Sequence, residues 1–461
     1  MSTTSSKISD FFMTEKKASR ILDDISKLIN SDRRDQARDK LRELPEKHYN
    51  VKSSAGYSFL HLAAILGMND EIEYYLRLFP NNIDAADNYG NTALYEATCN
   101  RHTSTVELLI NKGANINATN HKDITALHKA AYNGHTETMK TLIDNGANIN
   151  ATNNYGNTAL HEAAVKGHTE TIKTLIDNGA DVNATNNNGQ TALHEASKLG
   201  KTATTELLID KGADVNATNN NGQTALHFAA CNGRTKTIKT LIDNGANINA
   251  TSRGGNTALH YAAYNGHTEA MKTLINNRAD VNAANNYGNT ALHEAADNGH
   301  TEAMKTLIDN GADITLKNRG NKTAADIAKH PHEMFSLALS LRNEELCKQF
   351  IDKEIVPDED KLRKFLRSPE NSNREHNAQF MKDLHMIISN KSNMDLVYLN
   401  KLNEAIDVYG EFHVHTLESI SARVVQNILD HSKERGVAAI LERNKVKTPP
   451  EHKNESHHRR G

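Results

Sequence analysis

The threonine of a Thr-Ala-Leu-His tetrad stands at Thr125, Thr158, Thr191, Thr224, Thr257 and Thr290, each 33 residues after the last. The series reaches one period back to Thr92 and one period on to Thr323, and Ser58 stands 34 residues before Thr92, so the first copy has gained one residue. A fixed period of this length marks a stacked array. Each copy is one supersecondary unit too small to bury its own apolar face, and its neighbours supply the core.

One period, 151–183, reads ATNNYGNTALHEAAVKGHTETIKTLIDNGADVN. A first helix begins at Thr158 and carries Leu160, Ala163 and Ala164 on one face. A second begins at His168 with Ile172, Leu175 and Ile176 at helical spacing. An Asn-rich extended stretch then leads to Gly189, the turn into the next copy. Thr158 is a natural N-cap, and His161 stands where an N3 side chain can return to it. Gly179 follows the second helix where a left-handed residue is needed, and Gly156 and Gly189 sit where the finger turn needs positive φ. Neither helix is long enough to be stable alone in water, so stacking must supply the stability.

These residues resemble the ankyrin-repeat family. Its pattern G-x-T-P-L-H-x-A-A-x-x-G-H, followed by a second helix and G-A-D-V-N-A, is met by Gly156, Thr158, Leu160, His161, Ala163, Ala164, Gly167 and His168, then Gly179 to Ala184. Coverage runs from about Gly56 to about Leu341. Alanine (Ala126, Ala159, Ala192) replaces the family's proline after the threonine, which costs only some preorganisation of the first turn. The resemblance implies an all-α solenoid of helix-turn-helix units with turn fingers, binding partner proteins through the concave helix face and the finger tips.

The expected organisation follows. Residues 1–17 are Ser/Thr/Lys-rich and expected to be disordered. A helical cap is expected over 18–55: one helix with a stripe of Ile21, Ile25, Leu28 and Ile29, and a second, capped by Ser31 or Asp32, carrying Ala37, Leu41 and Leu44. The solenoid should occupy 56–345, with Asp123 and Asn321 standing in for turn glycines and Arg278 for a helix-end glycine. The last copy has Asp326 in place of histidine and runs into Pro331, and a helix with Phe335, Leu339, Leu346 and Phe350 on one face should follow. After Pro357 the period vanishes. A separate helical bundle is expected over 346–444, and a polar disordered tail over 445–461.

A net charge of −3 argues against a dominant nucleic-acid footprint. Three scattered cysteines, Cys99, Cys231 and Cys347, argue against a disulfide framework and for a reducing compartment such as the cytoplasm. No apolar run reaches membrane-spanning length, and no signal-peptide core opens the chain. A monomer is expected.

Histidine is abundant, at 24 residues, but its placement follows the period. His61, His128, His161, His194, His227, His260 and His293 fill one slot, while His135, His168, His267 and His300 open second helices, one repeat apart rather than convergent as a metal requires. His413 and His415 have only Glu411 beside them. No phosphate loop, dinucleotide fingerprint, nucleophile elbow or zinc-hydrolase helix is present. Catalytic, metal and cofactor residues are therefore expected to be none, with Cys347 a buried thiol.

The informative signal lies where copies disagree. The groove-facing positions of the first helix are Lys129/Tyr132, Glu162/Val165, Glu195/Lys198, Phe228/Cys231, Tyr261/Tyr264 and Glu294/Asp297. Adjacent repeats place aromatics where others place charges. Arg234 and Lys236 replace the usual His and Glu, and Ser252-Arg253-Gly254 replaces an Asn-rich turn. The candidate protein-binding residues are thus Phe228, Cys231, Arg234, Arg253, Tyr261, Tyr264, Tyr132 and Arg278, an aromatic and arginine composition suited to a hot spot. The expected function is a non-enzymatic adaptor. Its rivals are a secreted effector of an intracellular microbe, an enzyme whose terminal bundle acts on recruited partners, and a plain spacer.

Overall fold

In the 151–183 repeat the sequence builds its helices from both ends. Thr158 is extended (φ −88°, ψ 171°) and caps the Ala159–Lys166 helix in a capping box with His161. The imidazole Nδ1 of His161 accepts from the Thr158 main-chain N–H at 3.2 Å and from its hydroxyl at 2.9 Å. Gly167, left-handed at φ 82°, ends the helix and turns the chain into the Thr169–Asp177 helix. Leu160, Ala163, Ala164, Ile172 and Leu175 are all buried, as their spacing predicts. Each large aliphatic among them contributes about 1.5–3 kcal/mol by leaving water, which is what holds such short helices in place.

The computed structural model describes residues 14–341, 343–355 and 357. Among them are 3-10 turns and α-helices and no strand. The chain divides into two compact units. The first takes the described residues up to Ala295 with Glu302–Asp313 and Lys317–Asn321, and the second takes Ala296–Thr301, Ile314–Leu316 and the described residues from Lys322 onward.

In the first unit, first helices stack on first helices (Ala126–Asn133, Ala159–Lys166, Ala192–Lys198, Ala225–Cys231, Ala258–Tyr264) and second helices on second helices, giving two layers. Fingers join along one edge. Main-chain N–H groups of Asn187, Asn220, Arg253 and Asn286 donate to the carbonyls of Tyr155, Asn188, Asn221 and Gly254 of the finger before. An asparagine ladder runs beside them. Asn150 accepts from Asp181 N–H at 3.0 Å and donates to Gly179 O at 3.4 Å. Asn117, Asn183, Asn216 and Asn282 make the same pair of bonds one or more repeats away.

The left-handed substitutes behave as expected: Asp123 and Asn321 both lie at φ 56°, and Arg278 at φ 71°. The cap differs in detail. Its first helix spans Glu15–Asn30, capped by Thr14, and its fully buried line is Ala18, Leu22 and Ile25. Leu22 was missing from the expected stripe, whose Ile21, Leu28 and Ile29 are only half-buried. Neither Ser31 nor Asp32 caps the second helix, Arg34–Arg42, whose N-cap is Arg33. The link is too short for separate stop and start signals: the Ser31 hydroxyl closes the first helix on Lys27 O, and Asp32 is spent on a left-handed turn at φ 58°. Tyr49, Phe59 and Tyr75 then form a stacked aromatic core between the cap and the first repeat.

In the second unit Asp326 takes the histidine's place in a capping box with Thr323. The expected single helix is two, Pro331–Ser340 and Glu344–Ile351, because the Asn343 side chain accepts from Leu346 N–H and starts a new one. Phe335 and Phe350 still meet, stacked at 5.4 Å. Cys347 is buried there, and burial pushes its thiol well above the ordinary range. The N-terminal stretch expected to be disordered runs to residue 17, but Thr14 caps a helix that already begins at Glu15, its side chain accepting from Lys17 N–H. Residues 1–13, the expected tail over 445–461 and nearly all of the expected bundle over 346–444 lie outside the described residues.

Candidate functional site

Repeat histidines hold the framework on which any surface site must sit. Nδ1 of each accepts at its own threonine, and Nε2 donates to the carbonyl that ends the next finger: His128 to Asn157 at 3.0 Å, His161 to Gln190 at 2.9 Å, His194 to Gln223 at 3.0 Å, His227 to Asn256 at 3.1 Å and His260 to Asn289 at 2.9 Å. Both ring nitrogens are therefore used. Burial lowers the pKa of His61, His128, His161, His194 and His260, and takes His227 down to about 4. Among the described residues no group of three or more His, Cys, Asp or Glu side chains is placed to hold a metal ion.

The position after the histidine turns toward the finger of its own repeat. At two repeats a glutamate there is tied down: Glu162 accepts from Asn153 and Asn157, and Glu294 from Asn285 and Asn289, each at 3.2 Å. Phe228 and Tyr261 replace that polar tie with a ring contact to the repeat before. Phe228 meets His194 edge-on at 5.7 Å, and Tyr261 meets His227 edge-on at 5.7 Å. The Tyr261 hydroxyl also accepts from Gln223 at 2.9 Å. Three residues further along, Cys231 is half-buried, its Sγ accepting from Asn265, while Tyr264 is 52% exposed.

The structure thus brings Phe228, Cys231, Tyr261 and Tyr264 onto two stacked first helices. Arg253 is exposed on the finger between them, its main chain joined to Asn221 and Asn286. Arg234 is on the helix–helix turn, where its Nε donates to Lys198 O at 3.3 Å in place of a histidine bridge. Two candidates lie apart. Tyr132 belongs to a repeat nearer the N-terminus, its ring under Lys166 at 4.2 Å and Lys129 at 5.1 Å. Arg278 ends a second helix, in the other layer.

Two occupants of the same slots were not singled out from sequence. Glu96 and Cys99 hold the two groove positions of the repeat that begins at Thr92, with Tyr95 in the histidine slot. The Asn91 amide donates to both Asp87 and Glu96 at 3.2 Å. Burial and the Asp87 charge raise the Glu96 pKa to about 7, and burial with Glu96 raises Cys99 to about 12. The available signal was Asp87, where the following copies have Asn120, Asn153 and Asn186.

A family model described as ankyrin repeats (3 copies) matches residues 33–120, 117–186, 180–252 and 251–318. No curated protein matches the chain. Among solved structures, the ankyrin repeat domain of Bcl-3, described as a unique member of the IkappaB protein family, is 31% identical, covers 45% of this chain and 94% of its own, and superposes with a TM-score of 0.41. The human ASB11 ankyrin repeat domain is 31% identical, covers 44% of this chain and 92% of its own, with a TM-score of 0.41.

Proposed function

This chain belongs to the ankyrin-repeat family, whose repeats generally mediate protein–protein interaction, and on that premise we propose that it is a non-enzymatic adaptor gripping a partner protein at Phe228, Tyr261, Tyr264 and Arg253. The observation that carries the reading is Tyr264. It stands 52% exposed beside a half-buried aromatic pair, on helices whose counterparts offer Glu162, Val165, Glu195 and Lys198. A rigid stack lets a partner bind without first ordering the surface, so little of the contact energy is lost to preorganisation. Aromatic and arginine side chains at its centre are the types that dominate such contacts. The unpaired thiols Cys99, Cys231 and Cys347 agree with a reducing, cytoplasmic setting.

The test uses the full chain as bait in cell lysate beside Phe228→Ala/Tyr261→Ala/Tyr264→Ala, with captured proteins identified and their affinities measured. A partner whose Kd rises about a hundredfold in the triple variant fits truncation of two or three central anchors. Retention of every partner by the variant removes this groove. Chemical modification of a captured partner by the purified protein removes the adaptor reading.

A further inference from the structure

The turn between the two helices of a repeat usually ends in histidine. His102, His135, His168 and His267 each bond a carbonyl of the preceding repeat, of Ile65, Thr98, Tyr132 and Cys231. Two adjacent repeats put Lys201 and Arg234 there instead. Both side chains lie along the turn glycine of the repeat before: a Cβ built on Gly167 would come 3.0 Å from Lys201 Cδ, and one on Gly200 would come 2.8 Å from Arg234 Cδ. Lys166 and Lys198 close the first helices on the same turns. Lys236 and Ala203 stand where other repeats begin their second helix with Glu137, Glu170 or Glu269.

Lys166, Lys198, Lys201, Arg234 and Lys236 are thus gathered on three consecutive turns. Among the described residues none of the five is in an ion pair, although Glu162, Glu170, Glu195 and Glu206 lie on the same repeats. Glu162 is held by its own finger. Lys166 lies over the Tyr132 ring and the Lys198 charge acts on Glu195, so what is shared by the five is the lack of a direct ion pair. The chain as a whole carries −3, so this cluster of cations is local.

We propose that these turns form a docking ridge for an extended acidic protein segment with a carboxylate at every third residue. Stacked helices lie about 8–10 Å apart, which sets the step between Lys201 and Arg234, one period apart, with Lys166, Lys198 and Lys236 flanking that pair. An extended polyproline-like chain rises about 3.1 Å per residue with three residues per turn, so residues i and i+3 share a face about 9 Å apart. A nucleic-acid strand fits less well, since the net negative charge of the protein repels a polyanion. Solvated pairs of this kind are individually weak and screened by salt, so binding needs several in register. The ridge does not depend on the aromatic groove.

The experiment titrates the full-length protein into a labelled peptide with glutamate at every third position, and into an isomer of the same composition with the glutamates in one block. The expected result is binding about tenfold tighter for the spaced peptide, weakening as salt rises from about 50 to about 300 mM. Lys166→Glu/Lys201→Glu/Arg234→Glu should lose that binding, and the neutral Lys166→Met/Lys201→Met/Arg234→Met replaces it if circular dichroism shows charge reversal unfolds the array. Phe228→Ala/Tyr261→Ala/Tyr264→Ala should leave peptide binding unchanged, which separates this ridge from the groove. Equal affinity for the two peptides, full binding by a folded ridge variant, or tighter binding of a single-stranded oligonucleotide of equal charge overturns the proposal.

Discussion

The 151–183 and 184–216 repeats share a backbone plan and differ at the places that decide how well it is filled. Ala164 and Ile172 of the first become Ser197 and Thr205 of the second, all four buried. Neither the Ser197 nor the Thr205 hydroxyl has a hydrogen-bond partner. Thr98, at the position of Ser197 three repeats earlier, shows the alternative, since its hydroxyl donates to Leu94 O at 2.8 Å. His168 bridges back to Tyr132 O, whereas Lys201 makes no such bond among the described residues. Caps and fingers hold the shape of both repeats, but the second carries orphaned hydroxyls and has lost a bridge. In a stack governed by nearest-neighbour interfaces, unfolding starts at such a unit.

The largest expected effect is one that both repeats share. Their histidines are buried with lowered pKa values, as in four other repeats, and His227 falls to about 4. An unfolded histidine titrates near pH 6.5, so the unfolded chain takes up protons first as pH falls. The stabilisation is complete above about pH 6.5 and is lost from there down through the folded values. At pH 4.5 the His227 contribution alone is a loss of roughly 2–3 kcal/mol, with the others adding to it. Glu96 has the opposite sign, its raised pKa favouring the fold below its unfolded value and losing that advantage as pH rises through about 7. Urea unfolding at pH 7.5 and 4.5 checks the balance. Unchanged stability would mean that the histidine bridges do not hold the stack.

Next in size is repair of the core. Ser197→Ala/Thr205→Ile should stabilise the array by about 2–4 kcal/mol, by removing two orphaned hydroxyls and burying extra methylene surface. Ile172→Thr should import the defect into the 151–183 repeat at a cost of about 2 kcal/mol. Hydrogen exchange resolves both, because protection should rise first across 192–210 in the repair and fall across 159–177 in the import. Equal protection of the two repeats in the unaltered protein would dissolve the contrast.

A smaller step concerns Arg278. Glycines at the matching positions lie at φ 85–93° with open space where a Cβ would be, so arginine is hindered only by its backbone. At φ 71° its carbonyl receives no bond from Asn249, although Asn249 keeps the other half of the ladder to Asp280 N–H. Arg278→Gly should restore the rung and raise stability by about 1–2 kcal/mol, read from the urea midpoint. The same residue shows what sequence could and could not convey. Its left-handed geometry was legible because the period fixes which slot it occupies, as it was for Asp123 and Asn321, and the Thr158–His161 cap was legible for the same reason. Its layer was not, so it was grouped with aromatics on the other face. Phe228 and Tyr261 were found because charge elsewhere in the slot made them stand out, but their edge contacts with His194 and His227 arise from stacking one repeat against the next. Glu96 escaped because its acidity depends on Asp87 and on burial, neither of which a single slot displays.

The least energetic change is the one that sets the two repeats against each other most directly. Lys201→His should let the imidazole reach Val165 O, as His168 reaches Tyr132 O, and add about 0.5–1.5 kcal/mol, the net worth of one hydrogen bond. The same change removes a cation from the centre of the ridge, because the new imidazole is neutral at pH 8. Stability and binding of the spaced acidic peptide should therefore move in opposite directions, measured on one sample by urea midpoint and anisotropy. A rise in stability with peptide affinity intact would leave Lys201 as a poor histidine and nothing more. Loss of affinity alongside the rise would mean that the bridge was given up at the position where a free positive charge is needed.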